Sequence, residues 1–228
     1  MSAVPYHAMS GSSLPHADDP HTVQFLLERG ADPNASDERG ETALMRAVES
    51  QSADCALGVQ ALLDHGAEVN AKARDGGTAL QRAVRAVVRG QREYASGMYG
   101  PDEEVVLLLL SRGADVRGTV RDDGWTVLME ATEGAHFCPL AMVRALLDSG
   151  ASVNAKTNRG WTALMGAAEH SRTDILLELL DRGADIDATT QDGWSALTFA
   201  RNATFSPRVA VQVLVDRGAR EGPSDLGG

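Results

Sequence analysis

The side chains that most often ligate metals or act as nucleophiles are few in this chain of 228 residues. The two cysteines, Cys55 and Cys138, have no nearby second cysteine, and neither Cys-x-x-Cys nor His-Glu-x-x-His occurs. The six histidines are scattered, with no two at a spacing of four on one helix: His7, His16, His21, His65, His136 and His170. We therefore expect no catalytic residue, no metal ligand and no cofactor.

Tryptophan is the residue type whose placement indicates a site. All three tryptophans, Trp125, Trp161 and Trp194, follow a glycine and precede a threonine or serine. Carboxylates recur either just before that glycine or late in the helix that follows: Asp122, Asp123, Asp192, Glu49, Glu133 and Glu169. Aromatic faces beside carboxylates suit a cationic group, so this pattern favours a basic or arginine-bearing partner.

The tryptophan motif belongs to a repeat with a period of 33 residues. Residues 146–151 (LLDSGA) return as residues 179–184 (LLDRGA), and residues 160–164 (GWTAL) return as 193–197 (GWSAL). A fixed period in this range is typical of a solenoid, in which each unit buries its apolar face against its neighbours.

One unit can be interpreted as two helices and a turn. Thr162 is suited to cap a first helix whose alanines leave room for a close neighbour. Residues 175–180 have the apolar spacing of a second, heavily buried helix, and Gly183 supplies the left-handed residue that ends it. Asp192-Gly193 is a tight-turn pair that leads into the next unit.

This pattern resembles the ankyrin repeat, whose first helix opens with Thr-Pro-Leu-His-x-Ala and whose second closes with Leu-Leu-x-x-Gly-Ala. The resemblance implies an all-α solenoid of helix–turn–helix units joined by short hairpin turns. The closing Gly-Ala signal occurs six times, so we expect a single domain over 1–228 with a degenerate first repeat and a flexible tail. The expected repeats are 4–40, 41–76, 77–124, 125–160, 161–193 and 194–220, and the tail is 221–228.

Two departures from the family pattern carry predictions. The family histidine is replaced in repeats two to six by Met45, Gln81, Met129, Met165 and Thr198, so its hydrogen bond to the opening threonine is expected to be absent there. Repeat three is 14 residues longer than the minimal unit. We place that excess at 89–101, as a mobile loop or short extra helix in which Tyr94 and Tyr99 make secondary partner contacts.

Two further residue sets have simple interpretations within this architecture. Cys55 and Cys138 are separated by two repeats, about 20 Å at ~10 Å per stacked element, so both are expected to be free thiols. Asn34, Asn70 and Asn154 occupy the position that asparaginyl hydroxylation targets in some ankyrin proteins. A turn-stabilising role, with the side chain bonded to its own loop, is the favoured interpretation.

The resemblance places each tryptophan at a hairpin tip beside a concave groove. We expect an exposed row of indoles at ~10 Å steps with Trp161 as its central anchor, so that Trp161→Ala weakens partner binding with little loss of stability. The alternative is that the tryptophans only pack the hairpins, which predicts the reverse. The predicted partner-binding residues are Trp125, Trp161, Trp194, Asp123, Asp192, Glu49, Glu133, Glu169, Tyr94 and Tyr99.

Composition limits the partner and the compartment. The net charge of −11 disfavours nucleic acid and anionic membranes. Neither a signal peptide nor an apolar run near the ~20 residues of a membrane span is visible, so we expect a cytoplasmic monomer. Lys72 and Lys156 are the only lysines against 19 arginines, which suggests a GC-rich, bacterial genome.

Three functional classes follow from these observations. The first is a non-catalytic module that binds another protein through its groove and hairpin tips. The second is a dedicated inhibitor, such as a bacterial immunity-type antitoxin or a host-directed effector, that blocks one enzyme. The third, an enzyme, would need clustered titrating groups, and the sequence shows none.

Overall fold

The computed structural model describes residues 20–50, 54–90, 103–133, 139–204 and 207–220, and these ranges hold eleven α-helices, three isolated β-bridges and no β-strand. The chain divides into two compact units, Met1–Ala114 and Asp115–Gly228. Unit one contains α1 (Pro20–Glu28), α2 (Ala43–Ala47), α3 (Cys55–Asp64), α4 (Ala79–Gly90) and α5 (Glu103–Ser111). Unit two contains α6 (Val127–Glu133), α7 (Leu140–Asp148), α8 (Ala163–Glu169), α9 (Thr173–Asp181), α10 (Ala196–Asn202) and α11 (Pro207–Asp216). The predicted all-α class is confirmed.

A hydroxyl group caps the first helix of each of repeats two to six. Thr162 Oγ1 accepts a hydrogen bond from the Met165 backbone N–H (3.4 Å), and Ser195 Oγ accepts one from Thr198 (3.2 Å). Equivalent bonds are accepted by Thr42, Thr78 and Thr126. Each bond satisfies a backbone donor that the first turn leaves without an intrahelical acceptor, so the predicted N-caps are confirmed.

The residues that replace the family histidine form their own side-chain link to the opening residue in repeats three and six. Gln81 Oε1 accepts from the Thr78 backbone N–H (3.0 Å), and Thr198 Oγ1 accepts from the Ser195 backbone N–H (3.2 Å). Together with the caps these bonds make reciprocal pairs, because glutamine and threonine both carry an oxygen that reaches the cap residue. Buried methionine fills the position in the other three repeats: Met45, Met129 and Met165.

The first helices of unit two pack closely because their facing side chains are small. Helix α8 packs against both α6 and α10, and Ala163, Ala167 and Ala168 are buried there. A β-carbon on Gly166 would lie 2.9 Å from the Oγ1 of Thr132, so only glycine permits this approach. The second helices contribute leucine and isoleucine side chains that complete the apolar core.

Asparagine side chains join the loops of successive repeats. Asn154 Nδ2 donates to the Gly183 carbonyl oxygen (2.9 Å), and its Oδ1 accepts from the Asp185 backbone N–H (2.7 Å). In unit one the same donation runs from Asn34 to Gly66 and from Asn70 to Gly113. The expected bond to the residue's own loop is wrong, because these side chains instead bond backbone groups of the following repeat.

Ion pairs on the second helices repeat in register. An aspartate two residues before one closing glycine pairs with an arginine just before the next: Asp64–Arg112 (2.8 Å), Asp148–Arg182 (2.8 Å) and Asp181–Arg217 (2.7 Å). Hydrogen bonds from Gln60 and Arg112 lower the pKa of Asp64. Its stabilising contribution is complete above the ordinary carboxyl pKa and is lost as the pH falls through the lowered value.

The extra residues of repeat three begin as helix. Helix α4 has 12 residues, whereas α6 has 7, so part of the excess extends the first helix through Gly90. The rest of the predicted insertion, with Tyr94 and Tyr99, lies outside the described residues, as do Cys138, the opening at 4–7 and the tail at 221–228. Cys55 is buried and is not in a disulfide. The count of six repeats and the single domain stay predictions.

Ser171, between α8 and α9, has a φ of +53° and is the only non-glycine residue with positive φ in the described ranges. Its buried Oγ has no hydrogen-bond partner there. The left-handed conformation costs a non-glycine residue roughly 1–2 kcal/mol. We expect Ser171→Gly to raise the free energy of unfolding by about 1 kcal/mol in urea titrations, after the larger entropy of the unfolded glycine chain is deducted. Ser152→Gly, at a loop serine without positive φ, should lower it; a loss at both positions would contradict the assigned strain.

Candidate functional site

The hairpin tips of unit two hold their tryptophans in a repeated turn. The Thr157 backbone N–H donates to the Trp161 carbonyl oxygen (3.0 Å), and the Trp161 backbone N–H donates to Thr157 Oγ1 (3.0 Å). Thr190 and Trp194 form the same two bonds at 2.9 and 3.1 Å. Gly160, with φ +82°, reverses the chain between Thr157 and Trp161, and Gly193, with φ +80°, does so between Thr190 and Trp194. Each indole is thereby fixed immediately before the residue that caps the next helix.

The three indoles and one phenylalanine form a continuous group, which we name the aromatic cluster: Trp125, Trp161, Phe199 and Trp194. The Trp125 and Trp161 rings are stacked, with centroids 6.1 Å apart and an interplanar angle of 22°. Trp161 meets Phe199 edge to face at 4.7 Å, and Trp194 lies against Phe199 at 5.2 Å. These separations are within the range of favourable aromatic pairs.

The exposed row expected from the sequence is wrong in two respects. Trp125 is only 8% exposed, Trp161 is half-buried and Trp194 is 38% exposed, so exposure is concentrated at one end of the cluster. The Trp125–Trp161 centroid distance of 6.1 Å is also shorter than the expected ~10 Å step, because the indoles lean on their neighbours instead of projecting outward. Whether these residues bind a partner stays a prediction.

Phe199 is a member of the cluster that the sequence interpretation missed. It lies four residues after the cap Ser195, on α10, and its ring lies within contact distance of both Trp161 and Trp194. The corresponding position holds a charged residue or glycine in the other repeats: Arg46, Arg82, Glu130 and Gly166. The sequence feature that could have identified Phe199 is an aromatic side chain at a position where the other repeats have a charged residue or glycine.

Two indole N–H groups in the cluster have no acceptor in the part of the chain that the structure describes. Nε1 of Trp125 and Nε1 of Trp161 are both buried, and neither has a hydrogen-bond partner among the described residues. A buried donor left unpaired costs roughly 1–3 kcal/mol.

Arg121 covers the buried end of the cluster. Its guanidinium carbon lies 4.6 Å from the Trp125 ring centroid. The same guanidinium is 3.3 Å from the buried carboxylate of Glu130 and 3.7 Å from the exposed carboxylate of Glu133. Glu133, predicted to face a basic partner, is thus already paired with an arginine of its own chain.

The other predicted carboxylates of unit two differ in their surroundings. Asp123 Oδ1 accepts a hydrogen bond from the Trp125 backbone N–H (3.1 Å), so it stabilises its own turn. Asp192, beside Trp194, and Glu169, the last residue of α8, are exposed. Neither forms an ion pair with any residue in the described ranges, so both keep an uncompensated charge at the surface.

Unit one carries an ionic arrangement at the equivalent positions. Glu41 stands where the tryptophans stand in unit two, and it lies 3.0 Å from Arg82, which is also 3.2 Å from Glu49. Burial lowers the pKa of Arg82, but the carboxylates of Glu49 and Glu41 outweigh that effect and raise it above its ordinary value. Glu49 is therefore also paired within the chain, as Glu133 is.

The described residues offer no metal site of the usual kind. Across the five described ranges, no three or more histidine, cysteine, aspartate or glutamate side chains are grouped so as to hold a metal ion. Within the same ranges, no helix is both long enough and apolar enough to cross a membrane.

Curated relatives share the repeat pattern with this chain. The B-cell lymphoma 3 protein homolog of Mus musculus is 34% identical over 149 residues, which is 65% of this chain and 30% of the relative. The E3 ubiquitin-protein ligase KEG of Arabidopsis thaliana is 46% identical over 52 residues, 21% of this chain and 3% of that protein. The chain thus matches less than a third of either relative's length. The bacterial origin suggested by arginine usage stays a prediction, since these relatives come from a mammal and a plant.

A solved structure and a family model cover more of the chain. The crystal structure of the ankyrin repeat domain of Bcl-3, described as a unique member of the IkappaB protein family, matches with a TM-score of 0.63 and 31% identity. The match covers 86% of this chain and 77% of that one. The model for ankyrin repeats (3 copies) matches residues 13–99 and 94–190. The chain therefore belongs to the ankyrin-repeat family.

Proposed function

We propose that this chain binds a partner protein through the hairpin tips of unit two and the concave groove beside them, and catalyses no reaction. Ankyrin repeats are protein-interaction modules, which supports the class of function. One observation carries the location: the aromatic cluster ends in Trp194, an indole 38% exposed at a hairpin tip. Tryptophan at such a position is typical of the residues that dominate protein interfaces.

The energetics of the cluster support the same location. The two unpaired indole N–H groups, on Trp125 and Trp161, make this arrangement a poor choice for stability alone. A buried polar group left unsatisfied in a native structure calls for an explanation other than stability, and a functional constraint on the residue type is one. We infer that tryptophan is used at these tips for contact with a partner as well as for packing.

Charge defines the class of partner. The exposed carboxylate of Asp192, two residues before Trp194, the exposed carboxylate of Glu169 at the end of α8, and the net charge of −11 favour a basic protein surface. The same charge repels nucleic-acid phosphates and anionic membranes. We place the chain in the cytoplasm as a monomer that associates with this partner.

The comparisons support the mode of action and not the identity of the partner. The chain shares its architecture with the Bcl-3 ankyrin repeat domain at 31% identity, and stacked repeats of this kind provide extended surfaces for binding. Specificity in this fold depends on the side chains at the tips, such as Trp194 and Asp192. We therefore carry over protein binding alone.

A dedicated inhibitor of one enzyme is the second candidate. The net charge of −11 on a chain of 228 residues favours it, because a strong acidic field steers association with a basic surface. An inhibitor differs from an adaptor in one measurable way: saturating amounts of the chain abolish the activity of the captured protein. An assay of that activity separates the two.

Site-specific photo-crosslinking in the cells that naturally produce the chain tests the location. A photoreactive phenylalanine analogue in place of Arg159, exposed at the tip beside Trp161, should capture one protein at close to equal stoichiometry. The matched control is the same analogue at Ala141, exposed on α7, which should capture little. Equal capture at the two positions, or capture at Ala141 alone, would contradict a binding site at the tips.

A further inference from the structure

Repeat four contains an internal binding site for a guanidinium group, which Arg121 of the same chain occupies. The Arg121 guanidinium carbon lies 4.6 Å from the centroid of the Trp125 ring, and Nη2 is 3.3 Å from Glu130 Oε2 and 3.7 Å from Glu133 Oε2. The cation is thus held by an aromatic face and by carboxylates together. This chain therefore shows, within itself, which group a tip tryptophan and nearby carboxylates accommodate.

Repeats five and six lack this internal arginine. The residue four positions before each tryptophan is Arg121 in repeat four, but Thr157 and Thr190 in the next two. Those threonines are committed to the turn, since Thr190 Oγ1 accepts the Trp194 backbone N–H at 3.1 Å. No side chain at this position is available to cover the Trp194 ring, which stays 38% exposed.

The carboxylate of Asp192 does not accept the hydrogen bond from the tryptophan backbone N–H that its counterpart in repeat four accepts. In repeat four the equivalent Asp123 accepts the Trp125 backbone N–H, whereas in repeat six the hydroxyl of Thr190 accepts that of Trp194. Asp192 is exposed and forms no ion pair with the described residues. Arg159 lies on the preceding hairpin, where its carbonyl accepts from the Gln191 N–H, but its guanidinium forms no ion pair with Asp192.

We propose that Trp194 and Asp192 form a docking site for an arginine side chain of the partner protein, whose guanidinium lies on the indole and pairs with the carboxylate. This occupant has the charge opposite to that of the exposed Asp192 carboxylate. Its contact with the Trp194 ring would match the contact that Arg121 makes with the Trp125 ring, while Asp192 would supply the carboxylate that Glu130 and Glu133 supply in repeat four. The inference rests on the proposed function and specifies the chemistry that is recognised there.

The test uses the whole chain and a defined probe. A short unstructured peptide with two arginines separated by glycine and serine is titrated at 150 mM salt, while the three indole N–H signals are followed by NMR. The signal of Trp194, assigned from a Trp194→Phe variant, should shift saturably and more than those of Trp125 and Trp161. The same peptide with citrulline, a neutral isostere of arginine, should bind about two- to fivefold more weakly or not at all.

Matched variants separate a built site from general attraction to an acidic protein. Asp192→Asn should weaken the arginine peptide about two- to fivefold, whereas Glu38→Gln, which removes one exposed charge from unit one, should leave its affinity unchanged. Equal binding of arginine and citrulline peptides, or equal losses in the two variants, would overturn the proposal. A partner that crosslinks at Arg159 but is indifferent to Asp192→Asn would also overturn it, while leaving the proposed function intact.

Discussion

Gly160→Ala should lower the free energy of unfolding by about 3–4 kcal/mol, whereas Gly183→Ala should lower it by only about 1 kcal/mol. Both glycines have φ +82°, so an added methyl group meets the same left-handed strain at each. At Gly183 nothing lies within 4 Å of the new β-carbon. At Gly160 that carbon would lie 2.7 Å from the Thr189 carbonyl oxygen and 3.0 Å from the Thr190 Cα, and backbone cannot rotate away as a side chain can.

The comparison of these two variants isolates the packing of adjacent hairpins. Chemical denaturation of both gives the difference directly, and an unchanged slope against denaturant would show that the folded states are of similar compactness. The hydrogen bond from the Gln191 N–H to the Arg159 carbonyl (2.9 Å) should weaken in Gly160→Ala alone, with faster amide exchange at Gln191. Equal destabilisation of the two variants would mean that the tips are not in close contact.

Much of the fold was predictable because the residues that begin and end its helices are recognisable in the sequence. Thr162 and Ser195 accept the N–H groups they were expected to cap, and Gly183 has the left-handed φ that a helix end requires. These features depend on a few adjacent residues, so the sequence contains all the information they need. The Asn154 bonds were less predictable, because their acceptor and donor lie in the following repeat.

The candidate site was less predictable because its contacts join residues far apart in sequence. Trp161 is half-buried because Phe199, 38 positions later in the chain, packs against it. The repeat pattern does not predict a phenylalanine at that position, since the other repeats hold a charged residue or glycine there. Glu133 was assigned to a basic partner from its position on the helix. The arginine that pairs with it, Arg121, comes from the preceding hairpin, whose side-chain direction the sequence does not reveal.

The two units use one pair of positions for two kinds of chemistry. Glu41 and Arg82 form an ion pair at 3.0 Å in unit one, and Trp161 and Phe199, at the same places in their repeats, form an aromatic pair at 4.7 Å in unit two. An exposed aromatic group gains more than a satisfied ion pair does when a partner removes water from it. This contrast supports placing the proposed binding site in unit two, where the exposed Trp194 ends the aromatic cluster.

Trp161→Ala should lower the free energy of unfolding by about 2–4 kcal/mol, which reverses the small effect expected from the sequence. Its ring is stacked on Trp125 and meets Phe199 edge to face, so truncation leaves a cavity between two aromatic neighbours. The loss is smaller than for a fully buried tryptophan, because Trp161 is half-buried and its unpaired Nε1–H is removed as well. Thermal and chemical denaturation measure the change.

Two companion variants assign packing and binding to different members of the cluster. Trp161→Phe keeps a ring and removes the unpaired N–H, so its stability should lie within about 1 kcal/mol of the parent. Trp194→Ala, at the exposed end, should cost about 1 kcal/mol or less in stability yet weaken binding of the captured partner at least tenfold. A small stability loss in Trp161→Ala, together with unaltered partner affinity in Trp194→Ala, would return the central role to Trp161 and remove the site from the end of the cluster. A large stability loss in Trp161→Ala together with weakened partner affinity in Trp194→Ala would mean that the stacked indoles form a rigid support and that the exposed Trp194 contacts the partner.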